Sequence, residues 1–232
     1  MVKLSKRMQL LRNKVNNVQQ YDIMNAISLH QKLSVVNFNE SIDVAINLGI
    51  DPRRSDQSIR GFVFLPYGTG RKMRIAAFTQ GMNMQHAKTA GADEVGMEDL
   101  ADRIRLGDRK FDVVVASPDA MYVVSKLAPI LGPRGLMPSS KIGTLSQNLV
   151  DTIKNVKLGQ ISYRNDKYGI VHMTIGKMSF LPMQLKGNLE VVIAALKKNK
   201  PLQVKGVFIK KVTLSSTMGI GIDIDQNSLL VK

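Results

Sequence analysis

Cysteine is absent from the 232-residue chain, so neither a disulfide framework nor a thiolate metal site can form. Tryptophan is absent too. Seven Phe and five Tyr are too few for a stacking platform that runs along many unpaired bases. His30, His86 and His172 stand far apart and form no i, i+4 pair. No apolar run approaches the roughly 20 residues needed to span a bilayer. The basic start, up to Asn17, lacks a continuous apolar stretch and does not read as a secretory signal. Acidic residues are also scarce: 18 Asp and Glu against 33 Lys and Arg, for a net charge of +15. That excess calls for a polyanionic partner, with nucleic acid ahead of anionic membrane. A membrane-surface helix would set Trp or Phe beside its lysines, and no aromatic residue precedes Tyr21.

What is present is enough for a folded protein. Apolar residues make up 44% of the chain, which excludes wholesale disorder, and the length allows one large domain or two small ones. Leu4, Met8, Leu11 and Val15 form one helical stripe, with Lys3, Lys6, Arg7, Arg12 and Lys14 on the other faces. A second helix is expected from Asp22, an N-cap type, with Ile23, Ile27 and Leu33 inward. Ile42, Val44, Ile46, Leu48 and Ile50 alternate with smaller or polar residues and predict the clearest strand; a polar loop leads to a second strand over 61–65.

The texture then changes. Strands over 73–78 and 111–116 alternate with helices over 82–90 and 97–106 and one opened by Pro118, which implies a parallel, helix-covered sheet. After a loop over 132–138 comes a helix over 148–157, closed by Gly159. From Gln160 a hairpin pattern returns: strands over 161–163 and 170–175 flank the turn 165–169. A helix follows over 182–199, with Leu185, Leu189, Val192, Leu196 and Val191 or Ile193 inward, and the last strand covers 206–215. The order is that of an insertion. The expected fold class is α/β with an α+β outer domain: a discontinuous, sandwich-like domain formed by residues 1–67 and 160–232, and an inserted Rossmann-like βαβ three-layer domain over 68–159. Residues 68–159 hold 13 basic and 9 acidic residues and the outer 140 hold 20 and 9, so a nucleic-acid face is expected mainly on the outer domain.

No constellation speaks for catalysis or a metal. The alternative, a nucleotide- or sugar-phosphate-binding enzyme on the inserted domain, would use Gly68, Gly70 and Ser117. Yet Tyr67-Gly-Thr-Gly-Arg71 matches no phosphate-loop spacing, a hinge turn is its favoured reading, and helix capping accounts for Ser117 and Asp119. Gly132-Pro-Arg-Gly-Leu-Met-Pro138 is open between an RNA contact and a contact with the other domain. Phe38 is open between core and binding. Tyr163-Arg-Asn-Asp-Lys167 reads on composition as a solvated turn slightly more than as a contact. His172 and Thr174 share one face of their strand, where a solvated His is the favoured reading. The strongest signal is Lys210-Lys-Val-Thr-Leu-Ser-Ser-Thr217-Met-Gly219-Ile-Gly221. Its hydroxyls are short, rigid donors suited to an RNA backbone and its 2′-OH groups, and its glycines permit close approach.

These residues complete a resemblance. The chain resembles the bacterial large-subunit ribosomal proteins of the L-one family through Leu4-Ser-Lys-Arg-Met8, Ser41-Ile-Asp-Val-Ala-Ile-Asn-Leu-Gly49, Arg60-Gly61, Leu65-Pro-Tyr-Gly-Thr-Gly-Arg71, Phe78-Thr-Gln-Gly81, Val95-Gly-Met-Glu-Asp-Leu-Ala-Asp102, Ala116-Ser-Pro-Asp-Ala-Met121, Leu131-Gly-Pro-Arg-Gly-Leu-Met-Pro138, Tyr163-Arg-Asn-Asp-Lys167 and Ser216-Thr-Met-Gly219. Starting near Lys3, it leaves no expected transit peptide. It implies a cytoplasmic, non-enzymatic ribosomal constituent without cofactor or membrane, monomeric when free. Implied partners are large-subunit (23S) rRNA at the mobile stalk, exit-site tRNA whose release is assisted, and the messenger RNA of its own operon, which is repressed. The RNA-contact positions it implies are Phe38, Arg164, Asn165, Asp166, Lys167, His172, Thr174, Ser215, Ser216, Thr217, Met218 and Gly219. Tyr67 departs from the usual His, and Ser139-Ser140 from Asn-Pro, both away from those positions.

Overall fold

The computed structural model describes residues 4–15, 19–107 and 110–229; Lys3, placed on the first helix by its spacing, lies outside them. The chain divides into two compact units, Met1–Gly70 with Tyr163–Lys232, and Arg71–Ser162. The mixture of helices and separate sheets is the α/β class expected.

In the first outer segment, α1 (Lys6–Lys14) starts where Ser5 Oγ accepts the Met8 amide. It turns Leu11 inward, and Leu4 stays exposed. α2 (Ile23–Leu33) starts at Asp22, whose carboxylate accepts the Met24 amide, and it buries Ile23, Ala26, Ile27 and also His30. β1 (Ser41–Leu48) alternates strictly, with Ile42, Val44, Ile46 and Leu48 buried. β2 (Arg60–Phe64) follows after the polar loop.

The inserted unit runs β3 (Ile75–Phe78), α3 (Asn83–Thr89), β4 (Glu94–Gly96), α4 (Glu98–Arg105), β5 (Val113–Ala116), α5 (Met121–Lys126), α6 (Ala128–Leu131) and α7 (Leu149–Leu158). Its sheet is parallel, in the order β4-β3-β5. Ala87 of α3 and Leu149, Ile153 and Val156 of α7 pack against Ile75, Ala77 and Val115. Leu100 and Ile104 of α4, Val123 and Val124 of α5 and Leu131 of α6 pack against Ala76, Phe78, Val114 and Ala116 on the opposite face. Both faces of the sheet are therefore covered, which gives three layers and explains why these strands read as continuous apolar runs. Strand β4 has only three residues, too short for an alternation to show.

The chain returns through β6 (Gln160–Arg164), β7 (Ile170–Lys177), α8 (Pro182–Lys198), β8 (Ile209–Ser216) and β9 (Ile222–Ile224). β7-β1-β8-β9 form a four-stranded sheet, and β2 and β6 form a two-stranded one. The two hairpins suggested by the spacing, β1 with β2 and β6 with β7, do not form. β1 pairs antiparallel with β7 on one side and β8 on the other. Turn 165–169 reverses the chain, and its two arms meet at the isolated Asn165–Val171 bridge rather than in a ladder. A local turn sets a reversal; pairing follows the apolar face, and β1 with its four buried aliphatics belongs at the centre.

α2 and α8 cover the inner face of the four-stranded sheet. α8 buries Leu185, Leu189, Val192, Ile193 and Leu196, which resolves the inward position in favour of Ile193, and it also buries Asn188. The Asn188 amide is fully used. Its Oδ1 accepts from the Tyr67 N–H at 3.2 Å; its Nδ2 donates to the Ile175 carbonyl at 2.7 Å and to that of Gly68 at 3.1 Å. It thereby ties the end of the first outer segment to α8 and β7. Asn188→Ala orphans these groups and is expected to lower the unfolding free energy of the outer unit by about 2–4 kcal/mol in urea titration; unchanged stability would contradict the role given to Asn188.

Candidate nucleic-acid interface

Because side chains alternate across a strand, turning four aliphatics of β1 inward leaves Ser41, Asp43, Ala45 and Asn47 outward. The register extends this pattern across the sheet. Thr174, Asp43 and Ser215 form one row; His172, Ala45, Thr213 and Asp223 form the next. One pair in each row is bonded: Thr174 Oγ1 donates to Asp43 Oδ1 at 2.6 Å and Thr213 Oγ1 to Asp223 Oδ1 at 2.8 Å. Lys177 Nζ reaches Ser41 Oγ at 2.8 Å, and Lys211 Nζ pairs with Asp223 Oδ2 at 2.8 Å. The outcome is a polar face of short, mutually braced side chains, with exposed Lys210, Lys211 and His172 at its margins.

One end of this face is closed by the segments entering β1 and leaving β8. Thr217, just past β8, donates its amide to the Ser41 carbonyl at 3.1 Å and accepts the Ser41 amide on Oγ1 at 3.0 Å. Beneath it lies Glu40, which is buried. Glu40 Oε1 accepts from the Met218 amide at 2.8 Å and from Ser216 Oγ at 3.3 Å; Oε2 accepts from Ser34 Oγ at 2.7 Å. Gly219 turns so tightly over Ser216 that a Cβ there would meet Ser216 Oγ at 2.3 Å and would have to displace that hydroxyl from Glu40. Phe38 stands just before this closure at 53% exposure, which settles its placement: it is a surface ring, not a core one.

The other end is formed by the turn after β6. Asn165 is buried; its Oδ1 accepts from the Ile59 amide at 2.7 Å and from Ser58 Oγ at 3.2 Å. Asp166 Oδ1 accepts the Tyr168 and Ile170 amides, both at 2.8 Å, and its Oδ2 lies 3.6 Å from His172 Nε2. Partial burial alone would raise the Asp166 carboxyl, but the Ile170 and Tyr168 amides and His172 outweigh it and hold that group below its ordinary value. Arg164 and Lys167 stay exposed, and Lys167 Nζ rides 5.1 Å over the Tyr168 ring.

The structure thus brings nearly all the sequence-identified residues to one face and its two ends. His172, Thr174 and Ser215 lie on the face; Phe38, Thr217, Met218 and Gly219 lie at one end, and Arg164 and Lys167 at the other. The eight residues of β1 separate the two ends by roughly 26 Å. Asn165 and Ser216 sit inside, and Asp166 closes its own turn, so these three side chains hold backbone in place. Glu40 and Asp43 were not singled out by the sequence reading. The alternation of β1 already placed Asp43 outward, whereas nothing in the pattern marked Glu40. The residues of the enzyme alternative do not assemble within one unit. Gly68 and Gly70 are in the outer unit and the Gly68 carbonyl is taken by Asn188, while Ser117 is buried in the inserted one. In the loop 132–138, Leu136 and Met137 pack on the inserted unit's own core. Among the described residues no cluster of three potential metal ligands occurs, and no helix is long and apolar enough to cross a membrane.

This is a basic, two-unit α/β protein whose outer unit is built from the two outer segments of the chain. Over residues 30–220 the chain matches the Ribosomal protein L1p/L10e family. It is 56% identical over 229 residues to the protein named Large ribosomal subunit protein uL1 in Shewanella baltica strain OS185, a match covering 99% of this chain and 98% of that one. The same protein in strain OS195 is equally similar over the same span. The chain belongs to the Ribosomal protein L1p/L10e family.

The buried His30 fastens α2 to β8 by donating from Nε2 to the Leu214 carbonyl at 3.3 Å. Burial pushes its imidazole below the ordinary value, against the Leu214 carbonyl and Glu40, which act in the other direction. The unfolded chain therefore takes a proton at His30 at a higher pH than the folded one does. The stability that depends on a neutral His30 is intact above about pH 6.5 and is lost as pH falls below it. Melting temperatures recorded from pH 7.5 to 5.5 are expected to fall less steeply in His30→Gln than in the native chain; superimposable pH profiles would contradict this.

Proposed function

We propose that this protein is a structural, non-enzymatic constituent of the large ribosomal subunit that binds 23S rRNA through the polar face of its outer unit. Membership of the family and the names of its relatives support the ribosomal part of this reading. The observation that carries the RNA part is the braced outward face with its two ends. Lysines supply sequence-independent attraction to phosphates, which follows any polyanion. Short hydroxyls and a tightly turned backbone, fixed before binding, supply a contour that fits one kind of RNA fold. Phe38, Arg164, Lys167, His172, Thr174, Ser215, Thr217, Met218 and Gly219 touch the RNA in this reading. Asn165, Asp166 and Ser216 hold them in place.

On this reading the outer unit, residues 1–67 and 160–232 in the boundaries read from the sequence, is the RNA-binding domain, and the Rossmann-like insertion over 68–159 is the second domain of the mobile stalk. The protein works in the cytoplasm, on the ribosome near the tRNA exit site, and is a monomer when free. It assists the release of deacylated tRNA, and it represses its own synthesis by binding a similar RNA fold in its operon's messenger.

Filter binding on a stalk fragment of 23S rRNA tests the central part. Thr217→Val is expected to lower affinity by about 1–3 kcal/mol, the range for one good contact. The native affinity should fall steeply between low and physiological salt. An unchanged affinity in the variant would remove Thr217 from the interface, and a flat salt response would remove the phosphate contacts.

A further inference from the structure

A second surface of the outer unit carries chemistry that the sheet face uses only at Arg164. Phe62 and Phe64, two residues apart on β2, are 37% and 45% exposed, and their rings meet edge to face with centroids 5.5 Å apart. Phenyl rings left in water on one strand face need an explanation. A Cβ at Gly61 would lie 2.9 Å from Tyr163 Oη, so Gly61 and Tyr163 share the inner side of the β2–β6 ribbon. By alternation Arg60, Phe62 and Phe64 on β2 and Arg164 on β6 share the outer side, where all four are exposed. Two hydrogen bonds join Ile59 to Asn165, the residues next to the arginines: Asn165 N to Ile59 O at 3.1 Å and Ile59 N to Asn165 Oδ1 at 2.7 Å. They set Arg60 beside Arg164. Among the described residues neither arginine has a carboxylate partner.

We infer that Arg60, Arg164, Phe62 and Phe64 form a binding site for an unpaired ribonucleotide. Like charges facing each other across a ribbon repel, and an anion between them removes the repulsion. Two guanidinium groups match a phosphodiester's oxygens. The adjacent ring faces take a base whatever its identity, because every base has a π-face. Charge complementarity thus selects a nucleotide over an apolar peptide or a second copy of the chain. Two rings are far short of a long platform, but they suffice for one or two bases. The inference rests on the proposed function, since it adds a single-stranded contact to a protein read as binding folded rRNA, and it shares only Arg164 with that interface.

The test is fluorescence anisotropy of the full chain with a labelled eight-residue oligoadenylate containing one 2-aminopurine. Binding with quenched 2-aminopurine fluorescence is expected in the native chain. Phe62→Leu/Phe64→Leu keeps the apolar bulk and removes the rings; it should bind about tenfold more weakly and lose the quenching. Phe62→Tyr/Phe64→Tyr should retain both. Arg60→Gln should weaken binding and flatten its salt dependence. Absence of quenching in the native chain overturns the proposal, as does equal affinity of the Leu pair. So does a change in oligomeric state of the Leu pair by light scattering, which would assign the rings to a second copy. Thr217→Val, measured on the folded rRNA fragment, reports on the sheet face separately, so failure of that reading appears in a different arm.

Discussion

The Glu40 carboxyl group is the point on which the outer unit depends. A carboxyl removed from water is costly unless donors meet it, and here three do: the Met218 amide and the Ser34 and Ser216 hydroxyls. Those donors come from positions far apart in the sequence. The bonds therefore do what no local propensity can, and fasten the segment entering β1 to the segment leaving β8. Ser41 and Thr217 repeat the fastening one step outward through both backbone and side chain. With that end closed, β1 is held between its two long-range partners, and the polar row above it is fixed in register.

This explains how the proposed interface is braced before it meets a partner. Thr174, Thr213 and Ser41 are already bonded to Asp43, Asp223 and Lys177. Little rotamer entropy remains for them to lose on binding, whereas the exposed Lys210 at the margin loses more when a ligand orders it. The same logic holds at the far end. The Asp166 carboxylate, an unexpected group in a face proposed to meet RNA, spends its oxygens on the backbone amides of its own turn and on His172. It fixes the loop that presents Arg164 and Lys167.

Much of the fold was legible in the residues because its signals are local. The alternation of β1, the Asp22 cap and the apolar stripe of α8 each report on a single element. The inserted unit was legible as strands and helices in turn. What was not legible depends on partners distant in sequence. The order β7-β1-β8-β9 is set by which apolar faces meet, so adjacent strands that looked like hairpins went to different sheets. The three-residue strands β4 and β9 exist only because a neighbour pairs with them. The burial of His30, Glu40 and Asn188, polar by type, has no signal in the local pattern and goes with bonds to the Leu214 carbonyl, the Met218 amide and the Ile175 carbonyl. The candidate site divided likewise. Its hydroxyl and glycine run stood out in the sequence, while the residues holding that run in place did not.

Hydrogen–deuterium exchange of the full chain with and without the 23S rRNA stalk fragment examines the central claim most directly. If both outer segments build one RNA-binding face, amides of residues 37–43, 164–174 and 215–219 should slow together on binding, and those of the inserted unit should change far less. Protection confined to residues 71–162, with the Thr217 and Ser41 amides exchanging as before, would contradict it.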